Sequence, residues 1–371
     1  MNETHEYNKL YLRNMITPKS VNGDKEWILE TPKDIRAGAV FEAAKNIKAA
    51  LTNLKRKNIK KFKMGFKSKR NNTWSITIPS SALKTFDNNH FGDKYVRIYP
   101  KSNKCPIIRT TEPINERMLQ HDSLLHFDGL DYFLCLPDEK SIKPSSQKDD
   151  VIALDPGIRT FMTGYSPNGT ICKLGEGAST RLLRLLLKVD KIDSLKTKVN
   201  KSCRRNLIRK RQRIINKVKN LTNEMHHKIS LYLVRNFKTI IIPDFAPKQI
   251  SNKRTRNISS RSVRQMLTLG HGKFKTILSA KAEEYGANLL WTNEAFTTKT
   301  CGCCGTTNDS IKAKKVWKCE ECNQLHDRDG NAARNIYFTC TKRINYDTES
   351  LNCLTTLLDS TTSDIDVLTA T

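Results

Sequence analysis

Apolar residues recur at helical spacing between residues 31 and 56, at Ile35, Ala39, Val40, Ala43, Ile47 and Leu51, so this segment is predicted as a helix. Thr31 suits its cap, Pro32 its first turn, and Asp34 the positive end of its dipole. The pattern then changes period. Residues 62–80 alternate in their second half and predict strands around an Asn71-Asn72 turn. Residues 95–100 and 124–137 predict further strands, the latter folded at Asp128-Gly129. Residues 138–149 are polar and aperiodic, as a linker would be.

A second pattern begins at Val151. VIALDPG (151–157) reads as a short apolar strand ending in Asp155, Pro156 and Gly157, followed by a hairpin turned at 166–169. Residues 179–236 contain no Gly or Pro and read as helical, with Leu182, Leu185, Leu186, Val189, Ile192 and Val199 as one apolar stripe. Residues 238–245 read as a buried strand. A basic loop at 251–265 leads into a helix through about Tyr285, and 287–296 reads as another strand. The order strand, hairpin, helix, strand, helix, strand matches an RNase H-like domain. The expected architecture is a multidomain α+β chain.

Charge changes the picture more than length does. The 371 residues carry a net +28; from Asp347 onward there are 5 acids and no Lys or Arg, so the first 346 residues carry +33. Solubility needs far less, and such a field favours a polyanion bound through its phosphates. No apolar run is long enough for a transmembrane helix, and the polar N-terminus reads as unsecreted, so an intracellular protein without a membrane partner is expected. The tail, 346–371, is rich in Ser, Thr and Asp and is expected to be disordered.

The candidate chemistry concentrates late in the chain. Cys301/Cys304 and Cys319/Cys322 form two C-x-x-C knuckles separated by fourteen residues. Four thiolates fill a tetrahedral zinc shell, which leaves no position for substrate, so this zinc would be structural. Cys303 falls outside the x2 spacing. Acids flank the knuckles. Asp155 ends a strand before Pro and Gly, where a metal and a phosphate can approach, although an Asx-turn needs the same residue. Asp329 opens a helix of small residues, DGNAARNI, with Asp327 as its competitor. The densest basic run, 204–219, offers Arg204, Arg205, Arg209, Lys210, Arg211 and Arg213 to a nucleic-acid backbone, or merely to solvent.

LDPG (154–157), FTTKTCGCCG (296–305) and HDRDGNAARNI (326–336), in this order, resemble the signature of the TnpB transposon-encoded RNA-guided nucleases, and within them the eukaryotic and viral Fanzor branch. TPKDIR (31–36), FKSKR (66–70) and LTLGHGKF (267–274) extend the resemblance along most of the chain. It implies a guide RNA and target-DNA binding region at 1–145, a RuvC-like nuclease domain at 150–296 and 326–345, and an inserted zinc ribbon at 297–325. It further implies a Mg²⁺-dependent DNA endonuclease with a double-stranded DNA target, two Mg²⁺ ions held by Asp155, Glu294 and Asp329, and nuclear residence in a eukaryotic host. One position departs from the pattern. Where TnpB proteins carry a glutamate at the end of the second core strand, this chain has Pro243. In Fanzor proteins an acid just before the ribbon replaces it, and Glu294 matches; Asp244 is the rival. The departure also motivates the alternative of an inactive nucleic-acid-binding regulator or accessory of transposition.

Overall fold

The computed structural model describes residues 9–17, 26–65, 73–85, 95–100, 107–139, 141–143, 149–245, 251, 256, 258–292, 297–308, 311 and 314–342. The chain divides into two compact units, Met1–Glu139 and Lys140–Thr371.

In the first unit, helices α1 (Lys9–Ile16), α2 (Glu26–Leu29) and α3 (Lys33–Lys55) precede two small sheets. One sheet has the order β1-β5-β6 (Trp74–Ile78, Ser123–Phe127, Tyr132–Cys135), the other β2-β3-β4 (Leu83–Thr85, Tyr95–Ile98, Ile107–Arg109). Every pairing in them is antiparallel. Ile78, Leu83, Val96, Ile98 and Ile114 form their core. The expected cap of α3 is not Thr31: the helix starts one residue later, after Pro32, and no side chain caps it. Pro32 instead accepts from Arg36 N–H through its carbonyl, 3.2 Å. The Asn71-Asn72 turn lies outside the described residues.

The second unit is built on one five-stranded sheet, β11-β10-β7-β8-β9. Its strands are β7 (Asp149–Pro156), β8 (Met162–Tyr165), β9 (Ile171–Leu174), β10 (Phe237–Pro243) and β11 (Asn288–Thr292). The first three form an antiparallel meander; β10 then lies parallel to β7, and β11 parallel to β10. The parallel strands need crossovers, and helices supply them. α4 (Ala178–Leu195) and α5 (Lys201–Asn236) connect β9 to β10, and α6 (Ser260–Leu269) and α7 (His271–Tyr285) connect β10 to β11.

These helices cover one face, through Ile152, Leu154, Phe161, Leu174, Ile229, Ile240, Ile242 and Leu278. Among the described residues, the opposite face takes one helix, α8 (Arg328–Lys342), over Ala153, Ile241, Ile336 and Cys340. Alternation along β7 and β10 sends successive side chains to opposite faces. The long helical stretch at 179–236 is a hairpin rather than one rod. Asn200 accepts from Cys203 N–H at 3.0 Å and caps α5, so the break needs neither Gly nor Pro. Val199 consequently leaves the apolar stripe for the turn, where it is 36% exposed.

Candidate metal centre and carboxylate edge

The ribbon closes on β12 (Val316–Lys318) and β13 (Leu325–Asp327), which pair antiparallel. Each knuckle is a tight backbone turn. Cys301 N–H donates to Thr306 O at 2.8 Å, and Gly305 N–H to Cys301 O at 2.9 Å; Cys319 N–H donates to Gln324 O at 2.9 Å. The turns gather the sulfurs of Cys301, Cys304, Cys319 and Cys322 within 4.8 Å of one another. Cys301–Cys322 and Cys304–Cys319 are each 3.6 Å apart. A tetrahedral Zn–S shell requires about 3.8 Å between sulfurs, so the quartet fits zinc. Cys303 is exposed and takes no part. The Thr306 hydroxyl holds the Cys304 thiol down to about 6, whereas burial pushes Cys301 up to about 12. A bound cation opposes the second effect by stabilising the thiolate.

The ribbon runs straight into α8. Asp327 caps that helix, its Oδ1 accepting from the N–H groups of Asp329 (3.2 Å) and Gly330 (3.0 Å). Asp327 thus serves the helix terminus through Oδ1. Asp329 stands in the first turn with 21% side-chain exposure, and Arg328 donates to its Oδ1 at 2.8 and 3.0 Å. Gly330, Ala332 and Ala333 let α8 lie close to the sheet: a Cβ on Gly330 would meet Ile171 Cδ1 at 2.9 Å.

On the sheet, Asp155 is half-buried near the end of β7, opposite Thr163 of β8. It shares the α8 face with Ala153. Gly157 follows for a steric reason, since a Cβ there would stand 2.6 Å from Thr160 O. Pro243 shares that face by alternation with Ile241, and it is buried. Asp244 goes the other way: it is 88% exposed and ion-paired at 3.0 Å with Lys275 of α7. On β11, Leu290 packs toward α8, and Thr292 shares its parity. Glu294 is two positions further and lies outside the described residues. The four cysteines are the one potential metal cluster of three or more ligands among the described residues.

Of the six basic candidates, Arg204, Arg205, Arg209, Lys210 and Arg213 are exposed on α5. Arg211 is half-buried and paired with Asp193 of α4 at 2.9 Å, which ties the helical hairpin together. His226 and His271 form a buried pair. His226 and His271 both stack on Phe161, with ring centroids 5.3 and 4.8 Å away. Burial pushes both down to about 4. Their signal was weak because each sits in an ordinary helical pattern, and only the fold brings them together.

Known proteins resemble this chain. A family model described as "Cas12f1-like, TNB domain" matches residues 271–336, from α7 through the ribbon into α8. A protein of Paramecium bursaria Chlorella virus 1 that carries a transposase name is 30% identical over 352 residues, covering 90% of this chain and 77% of that one. The chain belongs to the TnpB-like transposase family. A TnpB-like protein of Acanthamoeba polyphaga mimivirus is 32% identical over 80% of the chain, which spans 56% of that relative's length. A Streptomyces pristinaespiralis protein that carries the name RNA-guided DNA endonuclease is 27% identical over 55% of the chain and 49% of its own length. Among solved structures, the Cas12f1 chain of a Cas12f1–sgRNA–target DNA complex superposes with a TM-score of 0.51 at 13% identity, over 90% of this chain and 80% of that one. That likeness identifies the fold: a mixed α+β TnpB/Cas12f-like chain with a four-cysteine, zinc-ribbon-like cluster.

Proposed function

We propose that the chain is an RNA-guided DNA endonuclease of a transposable element, of the Fanzor type. Its cutting site would be an RNase H-like, RuvC-type carboxylate centre made from Asp155, Asp329 and Glu294. One observation carries this reading. The sheet order is β11-β10-β7-β8-β9, with Asp155 near the C-terminal end of central β7 on the face that α8 covers, and Asp329 stands in the first turn of that helix. Reacting groups in such sheets gather outside the carboxyl ends of the strands.

The donor set suits Mg²⁺, a hard cation that takes carboxylate oxygens. Asp155 and Asp329 are both half-buried, and Arg328 bonds Oδ1 of Asp329, not Oδ2. Two Mg²⁺ ions would supply an activated water and neutralise the leaving 3′ oxygen. The chain's own contribution is to hold the acids on one face of a rigid sheet and to seat the phosphodiester backbone against its basic surface. Arg204, Arg205, Arg209, Lys210 and Arg213, exposed on α5, would make that contact. Guide pairing would choose the target sequence, with the protein reading a short flanking motif on double-stranded DNA. Residues 1–145 would hold guide and target, and the ribbon at 297–325 would be a structural zinc insert between the two nuclease segments.

Pro243 favours a second reading, that of a nucleic-acid binder without cleavage, because the α8 face of β10 ends without an acid. Purification of the full chain from cells carrying its own locus decides between them. Co-purified RNA and Mg²⁺-dependent cutting, abolished separately by Asp155→Ala, Glu294→Ala and Asp329→Ala, support the nuclease. RNA binding with no cutting supports the binder. Cutting that survives Glu294→Ala but not Asp244→Ala would reassign the third acid.

A further inference from the structure

The DGNAARN segment holds more polar side chains than a carboxylate helix needs. Two asparagines one helical turn apart, Asn331 and Asn335, are 5% and 8% exposed, and neither points to solvent. Asn331 accepts from Gly302 N–H at 2.8 Å through Oδ1 and donates to Thr300 O at 2.8 Å through Nδ2. Asn335 donates through Nδ2 to Thr300 O at 2.7 Å and to Thr297 O at 2.8 Å. Together they clasp the backbone of the first cysteine knuckle. The knuckle is shaped to receive them: a Cβ on Gly302 would stand 2.8 Å from Asn331 Oδ1 and 3.2 Å from Asn335 Oδ1.

A second link leaves the metal shell itself. His326 is 8% exposed, and its Nε2 lies 3.1 Å from Cys301 Sγ. A zinc-bound thiolate can only accept, so with zinc bound Nε2 would carry the proton and donate to it. The next residue is Asp327, the cap of α8, and Asp329 follows two positions later.

We propose that the ribbon's zinc positions the catalytic helix: Asn331, Asn335 and His326 fasten the first knuckle to α8, so that metal occupancy sets where Asp329 stands. They are positioning residues, since none belongs to the cysteine shell or the carboxylate set. The part concerning cutting rests on the nuclease reading; the part concerning the helix does not. The mechanism is geometric. Without zinc the two knuckles lose their common centre, and the carbonyls of Thr297 and Thr300 no longer hold a fixed arrangement. Asn335 then has no paired acceptors, and the first turn of α8 frays. Buried amides left without partners are costly, so the clasp and the knuckle form or open together.

The test uses the full-length chain and near-isosteric variants. Asn335→Asp removes both donor bonds and sets a carboxylate against two carbonyls at almost unchanged volume. Asn331→Asp keeps the acceptor for Gly302 and loses only the donor. Gly302→Ala presses on the clasp from the knuckle side and leaves the sequence of α8 unaltered. Zinc release to a coloured chelator, and hydrogen exchange of the 326–338 backbone, are both read without any need for cleavage. In the unaltered chain, zinc removal should raise exchange at 328–332 at least tenfold. Asn335→Asp and Gly302→Ala should show that fast exchange while zinc-loaded and release zinc about tenfold faster; Asn331→Asp should fall between. With guide and target, Asn335→Asp should lower the cutting rate and raise the Mg²⁺ needed for half-maximal rate, with target binding unchanged. Exchange at 328–332 that ignores both zinc and Asn335→Asp, in a chain that cuts normally, overturns the clasp. Zinc-dependent exchange in a chain that never cuts leaves the clasp standing and removes the nuclease reading instead.

Discussion

The two faces of the five-stranded sheet are built from different materials. The face under α4, α5 and α7 is filled with large apolar side chains, among them Ile152, Leu154, Phe161, Leu174, Ile240 and Phe274. The face under α8 carries a smaller, mixed cluster, in which Ala153, Ala332 and Ala333 lie beside Ile241, Ile336 and Cys340, and then polar groups at the end of α8 that meets the ribbon. Burial free energy scales with apolar area, so the first face supplies most of the unit's stability. Small residues bring a helix axis close to a sheet, so the second face supplies proximity. Carboxylates that must share cations need that proximity. The candidate chemistry therefore lies on the face that contributes less to holding the fold together.

The sharpest way to break this contrast is to alter one residue on each side. Asp155→Ala should reduce Mg²⁺-dependent cutting on the order of 10³-fold or more, with thermal unfolding nearly unchanged. Its neighbour Leu154, fully buried on the other face, should behave oppositely. Leu154→Ala should cost about 2–5 kcal/mol in denaturant unfolding while the remaining folded protein keeps its specific activity. If both substitutions acted alike, the division of labour between the faces would fail.

A finer cut lies at Gly164 in β8, where a Cβ would stand 2.5 Å from Cys172 Sγ and 2.7 Å from Ile152 Cδ1. Gly164→Ala should cost about 1–3 kcal/mol through overpacking, read as a lowered unfolding midpoint. Burial also pushes the Cys172 thiol up to about 11, so slow reaction with a thiol reagent until unfolding should accompany it.

The large-residue face has its own titration. His226 and His271 are pushed down to about 4 by burial, below the ordinary value of 6.5. A depressed histidine is neutral when folded, so its contribution is intact above pH 6.5 and is lost as pH falls from there toward 4. The slope approaches about 1.4 kcal/mol per pH unit for each histidine. Burial outweighs the Gly157 backbone contact at His271, so His271→Phe should flatten that slope in urea melts between pH 4 and 6.5. The charged groups Lys273 and Lys275 on α7 and the paired His226 act in the same direction, disfavouring the imidazolium.

The smallest effects separate neighbouring arginines on α5. Arg209→Ala should weaken RNA or DNA binding and lower the magnitude of the log K against log salt slope by about one, with stability unchanged. Arg211→Ala should leave the slope alone and loosen the α4–α5 hairpin through loss of Asp193. The reverse result would move the nucleic-acid contact to the other side of the helix.

Local pattern carried much of this architecture. The strand at 151–157 and the helix pattern at 179–236 were readable because period and burial are written into consecutive residues, as was the metal quartet, whose ligands are near neighbours within each knuckle. The same local information misled at residues 196–200, where a single Asn200 side-chain bond outweighs an unbroken helical composition. The histidine pair was illegible because His226 and His271 are forty-five positions apart and meet only across Phe161. The rivalry of Asp327 with Asp329 was undecidable from spacing, since both acids suit a helix start; backbone geometry assigns the cap to Asp327. Asp244 could be set apart by strand parity, and its pairing with Lys275 shows which helix it faces. Composition and short motifs thus specify which chemistries the chain can hold. Contacts across long sequence separations determine which acid, asparagine or arginine is free to perform them, because each such group has one set of bonding directions and the fold alone decides what occupies them.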